Sequence, residues 1–331
     1  MSSFVKAQRA AQARFRQAST TLSAPARECS KPASGYSAML LPKELRSENL
    51  FPEIREDALA YFAHHRIAWH QWSHHLLSSQ ACCLNFLMPF TTEPNALASL
   101  LRPLLGEVEM LPLEDDRLPG RDAWHVGFEW IGERDHLNEG VGKDATRRRG
   151  ANCTSADAAV KYRRLDDGSV GMLLIEWKYT ETYGSPPDLA KEPTRRKRYT
   201  GIAFVPDGPV RSDAGLDLAD LFWEPFYQFL RQQMLAHRMQ AVREEGCDHV
   251  GVLHIAPGAN TAFKVVTAPA LCHRGTDAVR VWGDLLVQPN AFRSVNTEKL
   301  FGCFDVTQHP QFSRWWDYVC ERYPGLVGRA G

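Results

Sequence analysis

Two hydrophobic periods run along this chain. Between Trp124 and Ile131 every second position changes character: Trp124, Val126, Phe128 and Trp130 share one face, and His125, Gly127, Glu129 and Ile131 the other. That is the period of a strand. Ala158 to Arg164 reads as a second strand, and the apolar run Met172 to Ile175 as a third that ends abruptly in Glu176-Trp177-Lys178. Asp166-Asp167-Gly168 between the last two supplies an Asp-Gly turn, which predicts an antiparallel hairpin. Asp248 to Ala256 reads as a later strand, with Val250 and Val252 on one face and Leu253 and Ile255 on the other.

Helical spacing fills the intervals. Residues 1 to about 30 predict a short basic helix followed by a Ser/Ala/Pro-rich connector, Ser19 to Ser34, as a flexible link. The chain from Pro52 to Phe90 reads as helical throughout, and Leu76 to Met88, apolar almost all round, as a buried helix. Ala96 to Leu105 predicts a helix stopped at Gly106. Asp217 to Asp220 is a capping signal for a helix that Pro225 kinks or restarts, and Phe226, Phe229, Leu230 and Met234 form the stripe of a main helix ended by Gly246. A strand, this helix and another strand suggest a right-handed crossover. The predicted order is helix, three antiparallel strands, helix, strand.

Pairing the hairpin strands brings the start of one beside the end of the other, so Asp157 and Glu176 become neighbours. With a side-chain period of two, Lys178 shares the face of Glu176 and Trp177 points away. Two carboxylates and an ammonium beside Met172, Leu174 and Ile175 are costly to bury without a neutralising partner. Mg²⁺ suits such a place, because it takes one or two carboxylates and leaves its other positions to water and phosphate oxygens. The bland alternative is an exposed hairpin on which Glu176 and Lys178 form a solvated ion pair.

On these residues the chain resembles the PD-(D/E)xK nuclease superfamily, the restriction-endonuclease-like fold, and within it bacterial restriction endonucleases. The likeness covers about residues 60 to 257, and departs from the pattern at Ala156, where the motif has proline. It implies an α/β core, metal ligation by Asp157 and Glu176, and the catalytic lysine role for Lys178, with Mg²⁺ as cofactor, Mn²⁺ as a substitute, and DNA as substrate. It also points to Gln80 on the first core helix and Glu129 on the first strand as auxiliary residues, and Glu181 is a further candidate because it lies close to the motif. A homodimer would be the simplest way to cut both strands.

Composition narrows the alternatives. In 331 residues the formal net charge is zero, so nucleic-acid binding would need a local patch. Arg147-Arg148-Arg149 and Arg195-Arg196-Lys197-Arg198 are the candidates for gripping phosphates. Eight irregularly placed cysteines with no Cys-x-x-Cys pair argue against zinc knuckles and a disulfide framework, and suit a reducing cytoplasm. No stretch is apolar enough to cross a membrane. Gly140-Val141-Gly142-Lys143 lacks the spacing and the Ser/Thr of a P-loop. His70 and His74, four apart on a predicted helix, have chelating spacing, but Gln71 stands where a zincin has its Glu base.

The domain reading is a basic arm and linker over 1–40, a nuclease-like core over 41–260, and added elements packed on it over 261–331. Two functions follow: a Mg²⁺-dependent endonuclease acting on DNA, or a non-catalytic module on the same fold that holds nucleic acid or a protein.

Overall fold

The computed structural model describes residues 2–28, 39–113, 123–140 and 147–327. Residues 141–143 of the glycine-rich stretch lie outside them. Helices α1 (Ser3–Ala18), α2 (Ala24–Arg27), α3 (Arg55–His64), α4 (Ser79–Leu87) and α5 (Pro94–Leu105) precede the sheet. Strands β1 (Val108–Leu111), β2 (Val126–Trp130), β3 (Ala156–Arg164) and β4 (Val170–Trp177) follow. Next come α6 (Glu192–Tyr199), α7 (Phe226–Ala241), β5 (His249–Ala256), α8 (Ala278–Leu285), β6 (Phe292–Asn296), α9 (Thr297–Phe301) and α10 (Ser313–Arg322).

Among the described residues the six strands form one mixed sheet, so the molecule is α/β. β3 and β4 pair antiparallel, with Ala158 opposite Ile175 and Lys161 opposite Met172, and Gly168 turns the hairpin at φ +73°. β4 and β5 are parallel, as a crossover through α7 requires, and β6 adds a further parallel strand. On the far side, β2 pairs with the beginning of β3 and β1 with its end.

Alternation along β4 divides the core. Leu173, Ile175 and Trp177 enter one apolar layer with α3, α4, α5 and α10. Met172 and Leu174 enter the other, with Phe229, Leu230 and Met234 of α7 and Trp282 of α8. The sheet is thus covered on both faces, as parallel strands demand. Among the described residues no helix is long and apolar enough to cross a membrane.

Several expectations change. The continuous helix from Pro52 to Phe90 is two helices, α3 and α4, joined by turns. Arg66, at φ +54°, ends the first, and the Ser78 hydroxyl accepts from Ala81 N–H to begin the second. The stretch between is held by tertiary contacts rather than by helical hydrogen bonds: Trp69 stacks on Phe62, and Asn49 Nδ2 donates to the carbonyls of Ser73 and His75. The basic N-terminal segment is the expected helix, α1, and it docks on the core, whereas residues 29–34 of the connector lie outside the described residues. Phe15 packs edge-on against Tyr318, and Gln12 Nε2 donates to Tyr179 Oη and the Arg322 carbonyl. α7 stops at Ala241, five residues before Gly246.

Candidate active site

The hairpin register sets Asp157 beside the end of β4, where Trp177 N–H donates to Asp157 Oδ2 at 2.7 Å. Lys178 Nζ donates to Glu176 Oε1 at 2.6 Å, and both side chains are 8 % exposed. The pair is therefore buried rather than a solvated surface bridge. Glu176 Oε2 accepts from Gln232 Nε2 of α7 at 2.8 Å, and the same amide donates to the Ser155 carbonyl at 2.7 Å. Gln232 thereby ties the end of β4 to the approach of β3.

Charge is unbalanced here. Burial pushes the Asp157 carboxyl well above its ordinary value, and Glu176 and Glu129 push it the same way against Lys178. Burial also opposes the Lys178 charge, but Glu176, Tyr183, Glu181 and Asp157 outweigh it and hold the ammonium above an ordinary lysine. Lys178 thus keeps its proton and its charge beside Glu176.

On the α4 side, Gln80 Nε2 donates to Glu129 Oε1 at 2.7 Å, and Gln80 Oε1 accepts from His70 N–H at 3.0 Å. Glu129 sits at φ +47°, a conformation rare for a side chain other than Gly, Asn or Asp, and it leaves the regular pleat of β2. Gln80, Glu129 and Asp157 pack together with Cys83 and Phe128 around a gap too small for a water molecule. His70 Nε2 lies 3.4 Å from Glu129 Oε1, and this contact raises the imidazole pKa despite burial. Glu181 Oε2 accepts from Tyr179 N–H at 2.6 Å, and Glu181 and His70 both line an adjoining cleft of about 660 Å³.

The basic runs are taken apart by the fold. Arg147 donates to the carbonyls of Gly132, Glu133 and Arg134, Arg148 is exposed, and Arg149 is buried, donating to Tyr61 Oη and lying over the Trp130 ring. Arg195 lies 4.0 Å from the Tyr227 ring, Arg196 is paired with Glu192 and Asp217, and Lys197 is exposed. Arg198 lines a second cavity with Arg231. Neither run forms a continuous surface stripe. His70 and His74 do not share a helical face, since residues 71–74 form turns.

Gln232 and His70 are site residues that pattern reading did not single out for this role. Gln232 left a trace, a glutamine inside the buried stripe of α7. His70 left none, because only the fold brings it to Glu129.

Among the described residues no three His, Cys, Asp or Glu side chains form a ready metal cage. The donor set nevertheless fits Mg²⁺: Asp157, Glu176 and Glu129 are hard oxygen donors that outnumber the one ammonium, and their mutual repulsion is what a divalent cation relieves. This ion keeps much of its shell as water and substrate oxygen, so a complete protein cage is not required.

The family model for the restriction endonuclease associating with ARP matches residues 9–323, and the chain belongs to that family. No curated protein and no solved structure matches it.

Proposed function

We propose that this protein is a Mg²⁺-dependent endodeoxyribonuclease whose core is of the PD-(D/E)xK, restriction-endonuclease-like type. The observation that carries the reading is the convergence of half-buried Asp157 with the buried pair Glu176 and Lys178 at one end of the β3–β4 hairpin. The succession α4, β2, β3, β4, α7, β5, with α5, β1 and α6 set between its members, supports it, as does the family to which the chain belongs. Mg²⁺ or Mn²⁺ bound by Asp157 and Glu176 would supply Lewis acidity toward a phosphoryl oxygen and an acidified water.

The chain's own residues do the rest. Glu176 is aimed by Lys178 on one oxygen and Gln232 on the other. Asp157 is fixed by the Trp177 amide. The Lys178 ammonium stabilises negative charge that develops on the phosphoryl group or orients the attacking water. Gln80 holds Glu129 on the side of Asp157, where it serves as an auxiliary acceptor. From the family's description, association with ARP is the partner to seek.

The test is incubation of plasmid and single-stranded DNA with wild type and Lys178→Ala in Mg²⁺, Mn²⁺ or EDTA. Metal-dependent cleavage lost in the variant is expected. Cleavage undiminished in folded Lys178→Ala would falsify the assignment, and salt-sensitive binding without cleavage would show a binding module instead.

A further inference from the structure

Behind the catalytic end of β4 lies a second polar cavity of about 410 Å³, lined by Glu139, Asn152, Cys153, Arg198, Tyr199, Tyr227 and Arg231. Its position follows from the chain. Arg231 immediately precedes Gln232, which holds Glu176, and Asn152 and Cys153 lead into the Ser155 to Asp157 segment that Gln232 also grips.

The cations here are under-used. Among the described residues Arg231 makes no hydrogen bond and no ion pair; its Nε is shut off from solvent, and the group only rests 5.1 Å from the Tyr227 ring. Arg198 Nε is likewise buried without a partner, while its Nη2 donates to the Glu139 carbonyl at 3.4 Å. Glu139 and Glu176 offset the Arg231 charge at a distance, but the Glu139 carboxylate oxygens are already taken: they accept from Thr154 N–H at 2.5 Å, Thr154 Oγ1 at 2.9 Å and Tyr199 Oη at 2.8 Å. The nearby Arg195 and Arg196 are already engaged, by Tyr227 and by Glu192 with Asp217. Leaving a buried guanidinium Nε–H without an acceptor is costly, and an oxyanion that bonds Nε and Nη together in a fork recovers that cost.

We propose that Arg231 and Arg198 form a phosphate subsite, which holds a backbone phosphate of the nucleic-acid strand next to the scissile one. Identifying that phosphate with a DNA strand rests on the nuclease reading; the oxyanion site does not. Arg231 acts as a binding and positioning residue, since its neighbour in sequence holds Glu176. A filled subsite would set the strand in register with the carboxylates.

The probe is inorganic phosphate, titrated calorimetrically into the full chain in EDTA at constant ionic strength, with wild type, Arg231→Gln, Arg231→Lys and Arg198→Gln. Saturable binding is expected in wild type, weakened roughly 10-fold or more in Arg231→Gln and less in Arg231→Lys. A labelled oligonucleotide measured in parallel should lose about one unit of salt slope in Arg231→Gln. Thermal melts establish that each variant is folded; if Arg231→Gln is not, Arg231→Lys and Arg198→Gln carry the comparison. Absence of phosphate binding in wild type, or folded variants that bind like wild type, overturns the subsite. DNA cleavage that persists with such unchanged variants leaves the nuclease reading standing. Conversely, phosphate binding lost in the variants of a protein that does not cleave DNA supports the oxyanion site and removes the nuclease reading.

Discussion

Lys178 Nζ and Glu176 Oε1 are 2.6 Å apart at the end of β4, with both side chains almost wholly withdrawn from solvent. The pair therefore has a structural cost as well as a chemical use. Lys178→Met should lower unfolding free energy by about 3–5 kcal/mol, because it strands a buried carboxylate. Lys178→Met/Glu176→Gln should recover most of that loss in urea melts while remaining inactive. A double variant no more stable than the single one would show that the stranded charge is not the cause.

Asp157 has a carboxyl pKa raised by burial and by Glu176. A raised folded-state value means its stabilising contribution is full below the ordinary aspartate range and is lost as pH rises through the folded value. Asp157→Asn, which can still accept from Trp177 N–H, should therefore melt higher than wild type at neutral pH, with the two converging in acid. Mg²⁺ should raise the wild-type melting temperature and leave the variant's unchanged. Equal Mg²⁺ shifts in both would remove Asp157 from the metal site.

Gln232 touches no reacting atom; it positions Glu176 and the β3 approach through one amide. Gln232→Ala should lower kcat about 10- to 100-fold with little change in KM, as loss of a ligand's supporting hydrogen bond does. It should also require more Mg²⁺ for half-maximal activity, a response that a purely structural residue would not produce. Gln232→Glu sets a third carboxylate against Glu176 and should do worse, whereas an unchanged Mg²⁺ dependence in both variants argues against positioning.

His254 lies on β5 with its Nδ1 2.9 Å from Ser294 Oγ, and burial lowers its pKa to about 3. Here the folded state binds the proton less readily than the unfolded one. Stability is therefore full above the ordinary histidine value and falls as pH drops from that value toward 3. His254→Asn should flatten this acid limb between about pH 6.5 and 4 in chemical unfolding curves. An acid limb as steep as wild type would place its origin elsewhere.

α1 covers Tyr179, the residue after Lys178, through Gln8 and Gln12. Deleting residues 2–18 should expose Tyr179 and Arg322, make the protein sensitive to limited proteolysis and abolish a cooperative melt. A truncated chain that melts like the full one would return this segment to the status of a dispensable arm.

Short-range information was enough for the hairpin, since an Asp-Gly turn between apolar runs fixes which residues face each other. It located Asp157, Glu176 and Lys178 in adjoining strand ends, along with the α7 stripe and the parallel crossover to β5. It also placed Gln80 on a helix and Glu129 on a strand. Strands β1 and β6 were not legible: each is short, and each exists because a neighbouring strand offers it an edge, β3 for one and β5 for the other. The break between α3 and α4 was hidden by apolar residues that satisfy tertiary contacts, as Trp69 does by stacking on Phe62.

What the chain determined by itself is the local chemistry: which residue types stand at the strand ends, and the period that points them together. Only the tertiary structure decided their electrostatic state. Adjacency of His70 to Glu129, of Gln232 to Glu176 and of α1 to Tyr179 spans 59, 56 and 167 or more positions respectively. No local pattern encodes such distances. The same is true of the arginines, whose clustering in sequence suggested shared surfaces. Packing instead sent Arg149 inward, paired Arg196 with acids and left Arg198 with Arg231 beside one cavity, because each guanidinium settles where its own donors and its desolvation balance.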